Sequence, residues 1–266
     1  MTTPEYEVYA LQYGDVPERV SSENFLGADP HENAPMPLNF YVWLIRGAGR
    51  TILVDTGFNA ERAARRGRTI DRCPIEALSV LGVAPGDVDT VVITHLHYDH
   101  AGNMDKLPNA RFVLQEAEMG YATGRHMRHA LIRGPFELGD VQLMVALNYA
   151  ERVDWVNGDA EIAPGVRVHH LPGHSLGLQA VSAETKVGRV CLASDVAHFY
   201  DNIAYGQPFP VTANVAGQLD GQDAVRKLAA RPDLLIPGHD SRVNDLYESI
   251  PGDPLTFDLT KYRPKT

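Results

Sequence analysis

The chain has 266 residues, of which 44% are hydrophobic and 22% are charged, which is typical of a folded globular protein and excludes a disordered or fibrous one. Its 24 basic and 34 acidic residues give a formal net charge of -10, which disfavours nucleic acid and anionic membranes as partners. The sequence has no apolar run of bilayer length, no secretory signal and only two cysteines, so we expect a protein of the reducing cytoplasm.

The first third of the chain predicts β-strands followed by short helices. Apolar or alternating runs predict strands at Glu7–Tyr13, Phe40–Arg46 and Thr51–Asp55. The proline-containing stretch Ser21–Pro37 between the first two strands predicts a long loop, and loops of that length are usually functional or mobile. Short helices are expected at Ala60–Arg66 and Pro74–Leu81.

Strands return around a central helical region. The unbroken apolar run at Asp89–Thr94 predicts a strand buried on both faces, and Arg111–Gln115 predicts the next one. Residues 116–150 have a helical pattern that Gly134-Pro135 divides. Further elements are predicted as strands at Val166–Leu171, Gln179–Ala183, Arg189–Ala193 and Asp233–Ile236, and a helix at Asp220–Ala230. The pattern predicts an α/β fold with two sheets between helices, and a single domain over residues 1–266 with a helical insertion around 116–150.

Four candidate metal ligands follow the strand at Asp89–Thr94 within six residues, in the pattern H-x-H-x-D-H from His95 to His100. In an extended segment His95 and His97 point the same way, because side chains alternate with a period of two. Asp99 and His100 fall where the chain turns and face a second point nearby. One such turn can serve two metal ions about 3.5–4 Å apart.

This motif resembles the signature of the metallo-β-lactamase superfamily, an αββα sandwich with a dinuclear metal site. The resemblance continues along the chain in the family's order. Further matching segments are Val54-Asp55-Thr56-Gly57, Pro172-Gly173-His174-Ser175, Ser194-Asp195 and Pro237-Gly238-His239-Asp240. Each places its functional residue at a strand end or in a turn, where a rigid scaffold can hold it.

The resemblance implies two metal sites. His95, His97 and His174 would bind the first ion; Asp99, His100 and His239 would bind the second, and Asp195 would bridge them. Asp55 would orient a ligand by a hydrogen bond. Imidazole and carboxylate donors suit two divalent zinc ions, although manganese, iron and cobalt remain alternatives.

Two divalent ions that share a water lower its pKa to about 7 and thereby generate a hydroxide nucleophile. Such a centre hydrolyses an ester, lactone, thioester or amide by attack on the carbonyl, with Asp99 as the candidate for managing the proton. Within the superfamily the motif and compact length are most similar to the N-acyl homoserine lactonase group. This resemblance implies a quorum-quenching enzyme that opens a lactone ring on a small-molecule substrate.

One departure from that group concerns the third position after the bridging aspartate. The group has a tyrosine there, whereas this chain has His198, which can donate a hydrogen bond or act as a general acid. Tyr200 and Tyr205 are further candidates for that role. The departure leaves open another lactone, ester, thioester or β-lactam as the substrate.

The sequence suggests an apolar substrate wall that comes from two segments. Candidates are Phe25 and Met36 in the long loop and Met119 and Tyr121 in the helical region, although such side chains also fill ordinary cores. An apolar face there would equally suit a homodimer interface. A non-catalytic member of the family and a mononuclear iron enzyme that resembles persulfide dioxygenases are more distant alternatives.

Overall fold

The computed structural model describes residues 4–263, which form two β-sheets flanked by helices. The strands are β1 (Glu7–Val16), β2 (Leu38–Gly47), β3 (Arg50–Val54), β4 (Thr69–Ile70), β5 (Thr90–Val92), β6 (Arg111–Gln115), β7 (Val153–Val156), β8 (Ala160–Ala163), β9 (Val166–His170), β10 (Gln179–Thr185), β11 (Gly188–Ser194), β12 (Leu235–Pro237), β13 (Tyr247–Ile250) and β14 (Asp253–Tyr262). The α-helices are α1 (Ala60–Arg66), α2 (Glu116–Ala122), α3 (Ala130–Arg133), α4 (Leu138–Tyr149), α5 (Tyr200–Tyr205), α6 (Val215–Leu228) and α7 (Val243–Leu246). Short 3-10 helices lie at Ser21–Glu23, Glu76–Leu81, Pro85–Asp87, Met104–Lys106, Arg125–Arg128 and Pro232–Leu234.

The larger sheet has the order β13-β14-β1-β2-β3-β5-β6-β7, and β4 pairs with β1. The smaller sheet has the order β12-β11-β10-β9-β8. Both sheets mix strand directions: β3, β5, β6 and β7 run parallel to one another, as do β11 and β12. Most of the functional residues described below follow these parallel strands; His174 lies between the antiparallel strands β9 and β10.

Strand β2 shows how the sequence builds the core on both faces of the large sheet. Successive side chains of a strand point to opposite faces. Accordingly, Tyr41, Trp43 and Ile45 join the buried cluster that also contains strands of the small sheet. The alternate residues, such as Val42 and Leu44, join a second buried cluster between the large sheet and the helices outside it. An apolar run without alternation therefore indicates a strand that is covered on both sides.

The α/β sandwich predicted from the sequence is confirmed, with differences in individual elements. The segment predicted as helix Pro74–Leu81 is a shorter 3-10 helix, and α6 begins five residues before the predicted helix, at Val215. Asn214 caps α6, since its side chain accepts a hydrogen bond from the Gly217 amide at 3.1 Å. The prediction missed strands β4, β7, β8, β13 and β14.

The predicted helical region around 116–150 contains α2, α3 and α4 and connects β6 to β7. These strands are parallel neighbours, and parallel neighbours require a crossover connection. The region is therefore the crossover of a β-α-β unit, and Met144 of α4 packs into the core beneath it. The single domain over 1–266 stays a prediction. Among residues 4–263, no helix combines the length and the apolar character needed to span a membrane.

Candidate metal centre

The predicted metal ligands lie beyond the carboxyl ends of strands from both sheets. In the large sheet, β5 leads into the segment His95–His100, and the parallel strand β3 ends one residue before Asp55. In the small sheet, β11 ends directly before Asp195, and the parallel strand β12 ends two residues before His239. His174 lies in the loop between β9 and β10. The sandwich therefore brings together residues that are up to 144 positions apart in the sequence, as the positions 95 and 239 show.

All seven predicted ligands come together, and six of them are buried. Only Asp99 is partly exposed; the buried six are His95, His97, His100, His174, Asp195 and His239. Buried polar groups cost free energy unless they are paired or bind an ion. So many buried polar side chains in one place therefore need a partner that offsets the cost of their burial.

The first group consists of His95, His97 and His174, whose donor atoms all lie within 4.8 Å of one another. His174 Nδ1 donates to the main-chain oxygen of Val211 at 2.5 Å, which directs His174 Nε2 toward His97 Nδ1 at 2.9 Å. His95 Nε2 is buried without a hydrogen-bond partner. Three imidazole nitrogens thus converge on one point.

Asp195 lies between this group and the second group of Asp99, His100 and His239. Its Oδ2 is 3.1 Å from His174 Nε2, on the side of the first group. Its Oδ1 is 3.1 Å from His239 Nε2 and 3.3 Å from His100 Nε2, on the side of the second group. The two oxygens of one carboxylate therefore face the two groups, which is the arrangement that a bridging ligand needs.

Hydrogen bonds at the outer ring nitrogens show that the donor set fits metal cations. His100 Nδ1 donates to Asp55 Oδ2 at 2.7 Å, and His239 Nδ1 donates to the main-chain oxygen of Asn39 at 2.8 Å. In the neutral rings both Nε2 atoms then direct a lone pair at Asp195 Oδ1. Electron-rich atoms at such distances repel one another unless a cation lies between them. His100 Nε2, like that of His95, is buried without a hydrogen-bond partner.

The electrostatics of the centre agree with this geometry. Burial lowers the pKa of His95 and His97 well below its usual value, so both rings are neutral and keep a lone pair for a metal ion. At His100 burial acts in the same direction, but the carboxylates of Asp195 and Asp55 outweigh it and raise the pKa. The negative potential that favours a proton there also favours a divalent cation.

Asp55 forms a hydrogen bond with His100 from outside the cluster of donor atoms, which is the kind of contact that the resemblance implied. Its carboxylate accepts hydrogen bonds from the Thr94 amide at 2.7 Å, the Thr94 hydroxyl at 2.8 Å and His100 Nδ1. Its φ is 64°, in the left-handed region that residues other than glycine rarely adopt. Such backbone strain persists where the surroundings fix it, often at functional sites.

Glu118 is a supporting residue that the sequence analysis did not single out. Its fully buried carboxylate accepts hydrogen bonds from the Leu96 amide at 2.8 Å, the Gly177 amide at 2.9 Å and the Ser175 hydroxyl. Leu96 lies between two ligands of the first group, and Ser175 follows the third. Glu118 therefore ties together the two segments that carry the first group. An acidic residue in the first turn of a helix is common, so the sequence has no signal for this role.

A substitution at Gly177 tests the importance of this contact. A Cβ atom at Gly177 would lie 2.1 Å from the Glu118 amide nitrogen, which is part of the backbone of α2. Gly177→Ala is therefore expected to displace the His174 loop, to weaken metal binding and to lower the unfolding temperature by several degrees. Gly120→Ala is the matched control, because a Cβ atom there meets nothing within 4 Å. Equal metal content and unfolding temperature in the two variants would contradict the role of Glu118.

The structure separates the three aromatic candidates near Asp195. His198 joins the centre: its Nε2 lies 3.0 Å from Asp195 Oδ2, and its ring stacks on Phe209 at a centroid distance of 3.7 Å. Tyr200, which the sequence analysis proposed as catalytic, does not line the cavity that opens onto the centre. Its ring packs under the Arg242 guanidinium. Together with Ile203, Tyr200 lines a separate cavity, because it is the first residue of α5 and lies on the side away from the centre. Tyr205 is exposed, and its ring contacts His31.

A cavity of about 150 Å³ opens onto the centre. Five of the predicted ligands and His198 line it. The remaining lining residues are Val16, Arg19, Leu38, Phe40, Arg68, Tyr98, Pro135, Phe209 and Val211. The cavity thus combines an apolar wall with two arginines, neither of which the sequence analysis identified.

The four predicted substrate-binding residues do not line this cavity, and their role in binding stays a prediction. Phe25 is buried against the ring of His31, and Met36 lines a separate cavity. Met119 and Tyr121 pack against the outer core, because α2 lies on the large sheet. Tyr121 reaches the centre only indirectly, through Phe136, whose ring contacts His97 at a centroid distance of 4.6 Å.

Comparisons with known proteins agree with the fold. Residues 37–239 match the family model described as the metallo-beta-lactamase superfamily. The N-acyl homoserine lactonase of Bacillus cereus is 30% identical over 189 residues, which cover 65% of this chain and 70% of that protein. A solved N-acyl homoserine lactone hydrolase, with the product N-hexanoyl-L-homoserine at its catalytic metal centre, is 22% identical with a TM-score of 0.76 and covers 94% of this chain and 99% of that one. AidC, a dizinc quorum-quenching lactonase in complex with a product, is 14% identical with a TM-score of 0.70 and covers 90% and 89%.

These matches define the class as a metal-dependent hydrolase. The chain belongs to the metallo-beta-lactamase superfamily, since the family model covers more than half of it. The two solved structures, at under 25% identity, show the shared fold.

Proposed function

We propose that the chain binds two divalent metal ions and hydrolyses a lactone ring, either an N-acyl homoserine lactone or a related small lactone. The observation that carries the proposal is that the two oxygens of Asp195 face two groups of candidate ligands, with Oδ2 toward His174 and Oδ1 toward His100 and His239. The lactonase activity named for the Bacillus cereus relative supports the substrate class. Two ions held there would acidify a shared water and polarise the substrate carbonyl.

Zinc is the metal we propose. The donors are imidazole nitrogens and carboxylate oxygens, which suit zinc in hydrolytic sites. The two free cysteines, Cys73 and Cys191, are not in any of the clusters that the described residues form as candidate metal sites. The fold neighbour AidC is described as a dizinc enzyme, which supports the same choice.

Asp99 is the proposed proton acceptor. It is the only partly exposed member of the centre and lines the cavity, with Oδ2 at 3.9 Å from His239 Nε2. The buried Tyr13 hydroxyl donates to the main-chain oxygen of Asp99 at 2.8 Å and fixes this turn of the backbone. A carboxylate held at the cavity floor can accept a proton from an attacking water and pass it to the leaving group.

His198 is proposed to position Asp195 by donating from Nε2 to Oδ2. Burial lowers the pKa of His198 to about 3, so the ring is neutral and carries one N–H group. Stacking on Phe209 fixes the plane of the ring, with an interplanar angle of 6°.

Replacing His198 tests this role. His198→Phe keeps an aromatic ring against Phe209 but removes the hydrogen bond, so we expect kcat to fall by about 10–100-fold, as for other outer-shell partners of metal ligands. His198→Asn, which retains an N–H donor, should recover part of kcat with no matching change in KM. If His198→Phe kept full kcat, the positioning role would be wrong.

A substrate panel tests the proposed function itself. Metal-loaded protein should be assayed on acyl homoserine lactones of short and long chain, simple γ- and δ-lactones, a thioester, an aryl ester and a β-lactam, with oxygen uptake recorded in parallel. We expect a lactone to be hydrolysed with the highest kcat/KM and no oxygen to be consumed. Preference for the thioester or β-lactam would keep the metal site and refute the lactonase, and oxygen uptake with one iron per chain would refute the hydrolase.

A further inference from the structure

Two arginines from separate segments meet at the cavity of the metal centre. Arg19 follows β1, and Arg68 follows α1, and both line the cavity and are half-buried. Burial lowers the pKa of Arg19; the nearby Glu23 carboxylate opposes this effect, and the positive charge of Arg68 adds to it. The two guanidinium groups are therefore close enough to repel each other in a partly desolvated place.

Among residues 4–263, no carboxylate lies within ion-pair distance of either guanidinium, although Glu23 attracts Arg19 from farther away. Arg19 donates to the side-chain oxygen of Asn24 and the main-chain oxygen of Glu23, and Arg68 donates to the Tyr98 hydroxyl at 3.1 Å. All three acceptors are uncharged. Three other half-buried arginines pair with carboxylates: Arg62 with Asp140 at 2.5 Å, Arg66 with Glu137 at 2.7 Å and Arg72 with Asp253 at 2.6 Å. Arg152, which donates only to main-chain oxygens, is an exception, but it does not line the cavity.

Among the residues that the structure describes, the cavity lining also has no further carboxylate that could pair with these arginines. The only carboxylates that line it are Asp99 and Asp195, and the proposed function assigns both of them to two divalent ions. The cavity is then positive in a chain whose formal net charge is -10. A desolvated pocket with unpaired positive charge attracts an anion.

We propose that Arg19 and Arg68 bind a carboxylate on the acyl part of the substrate, so that the chain acts on lactones with an acidic acyl group. This inference rests on the proposed function and specifies its substrate class. Guanidinium groups bind carboxylates through paired, charge-assisted hydrogen bonds. Phe209 separates this anion subsite from the centre, because Arg19 lies over its ring at 5.1 Å and His198 stacks on the same ring. The apolar wall suits the methylene groups that would join the carboxylate to the lactone.

The test compares N-glutaryl homoserine lactone with its methyl ester, two substrates that differ only in the terminal charge. For the metal-loaded wild type, we expect kcat/KM for the acid to exceed that for the ester by about tenfold or more, the range of a hydrogen bond to a charged group. Arg19→Gln and Arg68→Gln should each lower this ratio, and the double variant should bring it close to one. Arg19→Lys and Arg68→Lys keep the charge and should keep part of the preference.

Arg65→Gln is the matched control, because Arg65 lies on the neighbouring helix α1 but pairs with Glu137 at 2.6 Å outside the cavity. It should keep the wild-type ratio, and thermal unfolding should confirm that every variant is folded. An acid-to-ester ratio of one or less in the wild type would overturn the inference. So would a preference for the acid that survives in the double glutamine variant.

Calorimetric titration with glutarate separates failure of the inference from failure of the proposed function. If the metal-loaded chain hydrolyses neither these two substrates nor any other lactone of the panel, the proposed function fails, and the titration then decides about the subsite. Affinity for glutarate that is about tenfold weaker in the double glutamine variant than in the wild type would support the subsite. Equal affinity would show that glutarate binds only the metals, and the inference would be wrong.

Discussion

Replacing Asp195 with alanine is expected to remove most of the bound metal and to lower kcat/KM by more than a hundredfold. The loss of a hydrogen-bonding partner of a ligand costs about 10–100-fold, and the loss of a ligand shared by two ions should cost more. Both oxygens of Asp195 are involved, since Oδ2 faces His174 and Oδ1 faces His100 and His239. Metal content by mass spectrometry and kcat/KM on a hydrolysed lactone are the measurements.

The control for this substitution is Asp154→Ala. Asp154 pairs with Arg111 on the surface, where both side chains are about half exposed, so its removal changes the net charge equally without touching the centre. The control should keep the wild-type metal content and kcat/KM. If Asp195→Ala bound as much metal as the control, Asp195 would not be a shared ligand.

Replacing Glu118 with alanine is expected to lower both stability and metal affinity, although Glu118 binds no metal in this account. The change leaves the Leu96 and Gly177 amides and the Ser175 hydroxyl buried without their acceptor. A buried donor left unpaired costs about 1–3 kcal/mol, so the free energy of unfolding should fall by at least about 2 kcal/mol. The loops that carry His97 and His174 would no longer be held together, so metal affinity should fall by about 10–100-fold.

Denaturant unfolding of the apoprotein and a metal titration of the folded variant measure the two effects separately. Glu116→Ala, at an exposed position in the first turn of the same helix, is the control and should change neither quantity appreciably. A Glu118 variant with reduced stability but unchanged metal affinity would show that Glu118 serves the fold alone.

Sequence patterns predicted the sandwich where apolar runs were unbroken or alternated clearly. β2 and β3 were predicted because their residues are apolar on both faces. β14 was missed because polar residues occupy buried positions in it. Thr256 is fully buried, and its hydroxyl bonds to Asp253 at 2.7 Å and to Arg72 at 3.0 Å. The ion pair between Arg72 and Asp253 provides hydrogen-bond partners for the buried polar groups of this strand. Hydrophobic periodicity cannot detect a pair between residues so far apart in the sequence.

The residues that cluster at the candidate metal centre could be picked out from the sequence because they occur in short motifs at strand ends. His95 and His100 lie in one six-residue motif, and Asp195 and His239 each follow an apolar strand. The cavity wall was not predictable in this way. Arg19 lies in a polar loop and Phe209 in a segment without regular structure, and only the packing of distant segments brings them together. The apolar residues of the helical region instead led to the prediction of Met119 and Tyr121 as substrate-binding residues, and these side chains pack against the core.

The most direct test of the central claim is a titration of the metal-free protein with zinc, with lactone hydrolysis measured at each step. We expect activity to rise with bound metal, to reach its maximum near two zinc ions per chain and to be lost again on chelation. Asp195→Ala should not reach this plateau. Full activity in the metal-free protein, or saturation at one ion with a second ion never bound, would contradict a dinuclear hydrolase.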